Sequence, residues 1–128
     1  MKKKILIVED EALGAMGLSD MFDKWGYEIC GSAYTGESAI QLNDELHPDL
    51  ITMDVRIKGD MDGIEAARRI RAKKFVPIVF LSGYLREGVK EELGIPDGVE
   101  FLNKPVNEEI LKETVEKLLN DKKQAGQP

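Results

Sequence analysis

Four short runs of apolar residues, each bounded by polar segments, place the narrowest limit on how this chain can fold. The runs are Ile5–Val8, Leu50–Met53, Ile78–Leu81 and Val99–Leu102. Because these runs are apolar at nearly every position, rather than at every second one, they predict strands that are covered on both faces. Glu28–Ala33 is a weaker fifth candidate. Strands of this kind are typical of parallel sheets with helices on both sides.

Helical patterns occupy the intervals between the strands. The predicted helices run from Glu11 to Trp25, from Thr35 to the residues before Pro48, from Asp62 onward, from Leu85 to Leu93, and from Asn107 onward. Thr35 and Asn107 have side-chain oxygens suited to capping a helix N-terminus. Gly88 lies inside the fourth helix, where glycine costs about 1 kcal/mol relative to alanine, so we expect this helix to be the least stable.

The alternation of strands and helices predicts a single α/β domain. Each parallel strand needs a right-handed crossover to reach the next, and the helices of those crossovers cover both faces. We expect a doubly wound, five-stranded parallel sheet of order 2-1-3-4-5, flanked by five helices. The chain has 128 residues, and we place the domain at residues 1–121. Residues 122–128 are polar, lack apolar periodicity and are predicted to form a flexible C-terminal tail.

Charge and apolar run length exclude several classes of function. The chain has 24 acidic and 18 basic residues, which gives a net charge of −6. Because this field repels the phosphate backbone, we predict no direct contact with nucleic acid. No apolar run approaches the roughly 20 residues that cross a bilayer, so no membrane insertion is predicted. The first run is also too short for a signal peptide, and we therefore predict a cytoplasmic location.

Polar side chains follow the apolar strands at the point where each strand ends. Glu9 and Asp10 follow the first strand, Asp54 the third, Ser82 the fourth and Lys104 the fifth. Because strands 1 and 3 are neighbours in the expected order, the three acids should converge at the carboxyl edge of the sheet. Two carboxylates about 4 Å apart repel by about 4 kcal/mol at an effective dielectric constant of 20, so the cluster needs a cation. All-oxygen ligation favours Mg²⁺.

Several motifs in this order resemble a known family of signalling domains. The motifs are Val8-Glu9-Asp10-Glu11, His47-Pro48-Asp49-Leu50-Ile51-Thr52-Met53-Asp54, Met61-Asp62-Gly63-Ile64-Glu65-Ala66, Leu81-Ser82-Gly83 and Lys104-Pro105. Together they resemble the receiver domains of two-component response regulators, whose fold is flavodoxin-like, over residues 4 to about 120. Their order and spacing through one predicted fold carry the resemblance, since each motif alone is weak.

The resemblance implies a role for each residue of the acidic edge. Asp54 would accept a phosphoryl group from a sensor histidine kinase or a histidine phosphotransfer protein. Glu9, Asp10 and Asp54, with the backbone carbonyl of Arg56, would bind Mg²⁺. Lys104 would offset charge on the phosphoryl oxygens. Such a domain is a regulator that catalyses only its own phosphorylation and dephosphorylation.

The resemblance also implies how the signal leaves the site. Ser82 would donate its hydroxyl to the phosphoryl group, and the rotamer of Phe101 would follow that movement. The face formed by the fourth helix, fifth strand and fifth helix would then change for a downstream partner. Lys104 and Pro105 match the position of a cis peptide bond. We expect a stand-alone regulator, with a segment of a longer protein as the alternative.

One departure from the common pattern follows Asp54. The loop from Val55 to Met61 is one residue longer than usual and lacks the usual proline, so we expect it to be more mobile. Arg56 and Tyr84 occupy the positions that modulate hydrolysis of the phosphoryl group in this family. Both side chains are bulky enough to obstruct an attacking water, and we therefore hypothesise a long-lived phosphorylated state.

Other classes of protein predict different residues. A haloacid-dehalogenase-like phosphatase needs a second aspartate two residues after Asp54, where this chain has Arg56. A flavodoxin-like cofactor module needs a phosphate-binding loop after the first strand, where this chain has three carboxylates. A degenerate receiver that acts as a constitutive protein-binding module is the remaining alternative, and it predicts no modification of Asp54.

Overall fold

The computed structural model of the protein describes residues 1–85 and 87–125. Within them a parallel sheet has the strand order β2-β1-β3-β4-β5, which confirms the predicted architecture. The strands are β1 (Lys4–Val8), β2 (Glu28–Ala33), β3 (Leu50–Asp54), β4 (Ile78–Ser82) and β5 (Val99–Asn103). Asp54 and Ser82 are thus the last residues of their strands, which extend one residue beyond the apolar runs.

Helices connect the strands and cover both faces of the sheet. They are α1 (Ala12–Lys24), α2 (Gly36–Leu46), α3 (Gly63–Lys73), α4 (Val89–Leu93) and α5 (Glu108–Ala125). Ile5 and Ile7 pack in a cluster with α1 and α5. Leu6 and Val8 pack in a second cluster with α2, α3 and α4. Successive residues of β1 therefore face opposite layers, which explains why the strand is apolar from Ile5 to Val8.

The predicted helix caps are present. The Thr35 hydroxyl accepts a hydrogen bond from the Ser38 N–H at 3.1 Å, and the Asn107 side chain accepts one from the Ile110 N–H at 3.0 Å. Asp62 caps α3 in the same way, by accepting from the Glu65 N–H at 2.9 Å. These bonds satisfy donors that the first turn of a helix leaves free.

The fourth helix is shorter than the sequence predicts. It begins at Val89, whereas we predicted a start at Leu85. Gly88 is its N-cap and has a φ of +81°, which no helix interior allows. The glycine that we expected to weaken the helix therefore marks its beginning.

The last helix extends beyond the predicted end of the domain. α5 continues to Ala125, whereas we placed the domain end at residue 121. The rest of the predicted tail, residues 126–128, lies outside the described residues. Flexibility of the tail stays a prediction. None of the described helices combines the length and the apolar character needed to cross a membrane.

Candidate phosphoacceptor and metal site

The acidic site lies at the carboxyl end of two neighbouring strands. Val8 of β1 pairs with Met53 of β3, so Glu9 and Asp54 follow at the same level of the sheet. One carboxylate oxygen from each of Glu9, Asp10 and Asp54 lies within 4.8 Å of the others. Glu9 and Asp54 are buried, and Asp10 is half-buried. The predicted convergence of the three acids is therefore observed.

Lys104 joins this cluster from the end of β5. Its Nζ donates hydrogen bonds to Glu9 Oε1 at 2.9 Å and to Asp54 Oδ2 at 3.0 Å. The Lys104 backbone N–H donates to the Ser82 carbonyl at 2.7 Å, which fixes the end of β5 beside β4. The peptide bond from Lys104 to Pro105 is cis, as the resemblance implies. The second oxygen of Glu9 accepts a hydrogen bond from the Glu11 N–H at 3.1 Å.

Burial and charge act in opposite directions on these groups. Burial, together with the nearby charge of Glu9, raises the pKa of Asp54 to about 6, although Lys104 opposes this rise. For Glu9 burial also acts upward, but the hydrogen bonds from Lys104 and the Glu11 N–H outweigh it and lower the pKa. Burial works against the Lys104 ammonium, yet its two carboxylate partners raise its pKa. Among the described residues, the Lys104 ammonium thus compensates the two buried acids incompletely.

Ser82 makes its hydrogen bonds within its own loop. Its hydroxyl donates to the Tyr84 carbonyl at 2.8 Å, and the Tyr84 N–H donates to the Ser82 oxygen at 3.1 Å. Ser82 is buried, whereas the Tyr84 side chain is exposed. The structure therefore places Ser82 at the end of the strand next to Asp54, with its hydroxyl turned to the loop backbone rather than to the acids.

Phe101 lies in the layer that contains α4. Its ring stacks on that of Phe80 with centroids 4.7 Å apart and planes 12° apart. Lys90 of α4 has its Nζ 5.9 Å from the centroid of the Phe101 ring. Phe101 is half-buried, and it links the inner strands to the fourth helix.

Arg56 has an exposed side chain and follows a tightly held residue. The Val55 N–H donates to the Leu81 carbonyl at 3.1 Å, and the Val55 carbonyl accepts from the Gly63 N–H at 2.8 Å. The assignment of the Arg56 carbonyl as a metal ligand stays a prediction, as do the roles of the other site residues.

The donor set suits a hard divalent cation. Glu9, Asp10 and Asp54 form the group of potential metal ligands found among the described residues, and all of its atoms are carboxylate oxygens. Mg²⁺ and Ca²⁺ prefer oxygen ligands, whereas zinc sites in proteins are built largely from cysteine and histidine. The uncompensated charge at Asp54 also favours a bound cation.

Comparison with known proteins identifies the family. Residues 5–116 match the response regulator receiver domain. The chain belongs to this family. Receiver domains are the regulatory domains of two-component signalling and are not dedicated enzymes. The family assignment covers the site and all of the sheet except Lys4, the first residue of β1.

Two curated relatives and one solved structure illustrate the similarity of this receiver domain to others. It is 39% identical over 103 residues to the transcriptional regulatory protein PdtaR of Mycobacterium tuberculosis, covering 80% of this chain and 50% of that protein. It is 43% identical over 70 residues to the chemotaxis protein CheY of Thermotoga maritima, covering 55% of this chain and 58% of that protein. The signal receiver domain of a modulated diguanylate cyclase from Desulfovibrio desulfuricans has a TM-score of 0.88 at 29% identity, covering 98% of this chain and 99% of that chain. This chain spans about half the length of these curated relatives.

Two glycines next to the site were not predicted to be functional positions. A Cβ atom at Gly63 would lie 2.1 Å from the Asp54 carbonyl oxygen, so only glycine lets α3 begin against that backbone. A Cβ atom at Gly14 would lie 3.1 Å from Glu9 Oε1, which shows how closely α1 passes the acid. The Asp62-Gly63 pair was the available signal for the first position. For Gly14 no local pattern reveals the contact, because it depends on the packing of α1 against the sheet.

Proposed function

We propose that this receiver domain is a phosphorylation-driven switch in which Asp54 accepts a phosphoryl group from a phosphohistidine. The donor would be a sensor histidine kinase or a histidine phosphotransfer protein. The observation that carries the proposal is the position of the Lys104 ammonium, 3.0 Å from Asp54 and 2.9 Å from Glu9. A cation held against a strand-end carboxylate can offset the charge on the oxygens of a transferring phosphoryl group.

In the proposed reaction, a carboxylate oxygen of Asp54 attacks the phosphorus of the phosphohistidine. An O–P bond forms while the P–N bond breaks, and the imidazole nitrogen keeps the electron pair and takes a proton from solvent. The product on Asp54 is a mixed anhydride. Because burial raises the pKa of Asp54 only to about 6, the group is ionised and nucleophilic at neutral pH. The domain would thus catalyse its own phosphorylation and, with water as the attacking group, its own dephosphorylation.

We propose Mg²⁺ as the cofactor of this reaction. Glu9, Asp10 and Asp54 would hold it with their carboxylates, and Arg56 would add its backbone carbonyl. When bound, the ion supplies positive charge at the phosphoryl oxygens, which Lys104 alone provides only in part. The proximity of three carboxylate oxygens within 4.8 Å supports this assignment.

Ser82 and Phe101 would pass the change on to the surface. To bond a phosphoryl oxygen, the Ser82 hydroxyl must leave the Tyr84 carbonyl, which it contacts at 2.8 Å. This exchange would draw the loop after β4 towards Asp54. Phe101 lies beneath Lys90 of α4, so a new rotamer of its ring would alter the α4–β5–α5 face for a partner.

The exposed apolar side chains fit a protein as the phosphodonor. Apart from Met1, the large exposed hydrophobic residues in the described part of the chain all lie in segments that follow carboxyl ends of strands. They are Leu13, Met16, Tyr34, Tyr84 and Ile110. Apolar side chains exposed in these segments could contact a protein donor.

Arg56 and Tyr84 would lengthen the life of the phosphorylated state. Both have exposed side chains in loops that border Asp54, where they could hinder an approaching water. The cytoplasmic location predicted from the sequence belongs to the same proposal.

Intact-mass analysis after treatment with acetyl phosphate tests the proposal. With Mg²⁺ present, we expect one phosphoryl group to be added to the natural protein and none to Asp54→Asn. Excess EDTA should suppress the adduct because the phosphoryl transfer needs the cation. Asp23→Asn removes an exposed aspartate of α1 and serves as the matched control, which should be modified normally.

A natural protein that acquires no phosphoryl group under these conditions would overturn the proposal. The chain would then be a degenerate receiver that binds a partner constitutively. Modification that persists in Asp54→Asn would instead assign the phosphoacceptor to another residue.

A further inference from the structure

The backbone directly after Asp54 is held on the side nearest the sheet. The Val55 N–H donates a hydrogen bond to the Leu81 carbonyl of β4 at 3.1 Å. The Val55 carbonyl accepts one from the Gly63 N–H of α3 at 2.8 Å. These two bonds fix the chain immediately before Arg56. Arg56, whose carbonyl would bind Mg²⁺, therefore follows a residue whose position is fixed.

The same loop is held again two residues beyond Arg56. Lys58 pairs with Thr35 as an isolated parallel β-bridge. Thr35 is itself fixed, since its hydroxyl caps α2 through the Ser38 N–H. The loop is thus attached to the N-terminal end of α2, and the backbone of Arg56 lies between two anchored residues. The expectation of a more mobile loop did not include this attachment, because residue 35 is distant in sequence.

A third attachment follows a sharp turn. Gly59 has a φ of +101°, which side chains rarely adopt, and a Cβ atom there would meet nothing closer than 3.5 Å. Beyond the turn, Met61 is buried with 8% of its surface exposed. A Cβ atom at Gly36 would lie 3.0 Å from the Met61 sulfur, so the methionine packs directly on the first turn of α2.

We infer that the pairing of Lys58 with Thr35, made possible by the turn at Gly59, positions the backbone of Arg56 for the metal site. The inference rests on the proposed function and adds positioning residues to it. Gly59 is the sensitive point, because an L-residue at a φ of +101° is strained although space for its side chain exists. Strain at the turn displaces Lys58 from Thr35, and the backbone of Arg56 then loses the nearest attachment on its C-terminal side.

Mn²⁺ binding followed by electron paramagnetic resonance tests this inference, since Mn²⁺ accepts the same oxygen ligands as Mg²⁺. We expect Gly59→Ala to weaken the affinity about tenfold, the scale on which supporting residues act at metal sites. Gly26→Ala is the matched control. Gly26 also has positive φ, +90°, and open space, but it lies between α1 and β2, where β2 starts beside Lys4 at the opposite edge of the sheet.

Hydrogen exchange of the metal-free proteins supplies a second measurement. Gly59→Ala should speed amide exchange in residues 35–38 and 57–60, whereas Gly26→Ala should leave these segments protected. The inference is overturned if the natural protein binds Mn²⁺ and Gly59→Ala binds it equally well. It is also overturned if Gly59→Ala and Gly26→Ala lose the same Mn²⁺ affinity, because the loss then reflects a general loss of stability rather than the position of the loop. A natural protein that binds no Mn²⁺ overturns the proposed metal site itself, whatever the loop does.

Discussion

At the scale of single residues, the site is governed by an incomplete balance of charge. Lys104 contacts both Glu9 and Asp54, but one ammonium cannot compensate two buried carboxylates. The imbalance appears at Asp54, where burial raises the pKa to about 6. A buried carboxylate with a raised pKa destabilises the fold whenever it is ionised. The acceptor residue therefore costs stability in the metal-free state.

This cost predicts a pH-dependent effect of Asp54→Asn. Well below a pH of about 4, Asp54 is protonated in both the folded and the unfolded chain. As pH rises towards 6, the unfolded chain ionises first, so the natural protein loses stability that it does not regain at higher pH. The full cost is on the order of 3 kcal/mol. In EDTA, we expect Asp54→Asn to be the more stable protein at pH 7.5 and the difference to shrink towards pH 4.5.

Urea unfolding at three pH values measures this difference. Asp23→Asn should show no such trend, because Asp23 is an exposed residue of α1. A natural protein that is more stable than Asp54→Asn at pH 7.5 would show that Lys104 compensates both acids fully.

At the scale of elements, the site depends on how closely helices approach the strand ends. α3 begins at Gly63, whose N–H bonds the Val55 carbonyl at 2.8 Å. The 2.1 Å separation between a Cβ at this position and the Asp54 carbonyl oxygen leaves no room for a side chain. The contact sets the height of α3 against β3, and with it the path of the loop between them.

Gly63→Ala should therefore destabilise the protein by about 3 kcal/mol or more, the scale of overpacking in a tight core. The obstructing atom belongs to the backbone, so a side-chain rotation cannot relieve the clash. Urea unfolding measures the change. Gly17→Ala in α1 is the matched helical control, since nothing lies within 4 Å of its Cβ position. It should be neutral or stabilising by up to about 1 kcal/mol. Equal effects of the two substitutions would contradict the close approach of α3.

At the scale of the whole molecule, Lys104 connects parts of the chain that are distant in sequence. Its partners Glu9 and Asp54 lie 95 and 50 residues away. The Lys104 side chain thus links the carboxyl ends of β1, β3 and β5. The same ammonium is the cation that the proposed reaction requires, so the stability of the resting state and the chemistry of the site share one residue.

Lys104→Met should remove the ammonium that contacts two buried acids, Glu9 and Asp54. We expect the free energy of unfolding in EDTA at pH 7.5 to fall by about 3 kcal/mol, as when one partner of a buried ion pair is removed. Mg²⁺ should restore part of the loss. Lys24→Met is the control, because Lys24 forms a solvent-exposed salt bridge with Glu108. That pair is worth less than about 1 kcal/mol. A loss at position 104 no larger than at position 24 would contradict the linking role.

The sequence by itself determined the strands, the order of the sheet and the positions of the acids. The strands and the acids rest on local signals: apolar runs, capping residues such as Thr35 and Asn107, and polar residues at strand ends. The strand order rests on the common order of doubly wound sheets, which the structure confirms. Parallel topology then requires Glu9 and Asp54 to meet, because neighbouring strands share one carboxyl edge. The resemblance to receiver domains added the expected roles, which local patterns do not contain.

Only the tertiary structure decided how those residues are held. The start of α4 at Val89 follows from the positive φ of Gly88. The bond from Ser82 to the Tyr84 carbonyl and the pairing of Lys58 with Thr35 depend on loop paths that no periodicity encodes. The raised pKa of Asp54 needs the burial and the distances of all its neighbours at once. Sequence patterns report the preferences of short segments, whereas these features arise from the packing of segments that are distant along the chain.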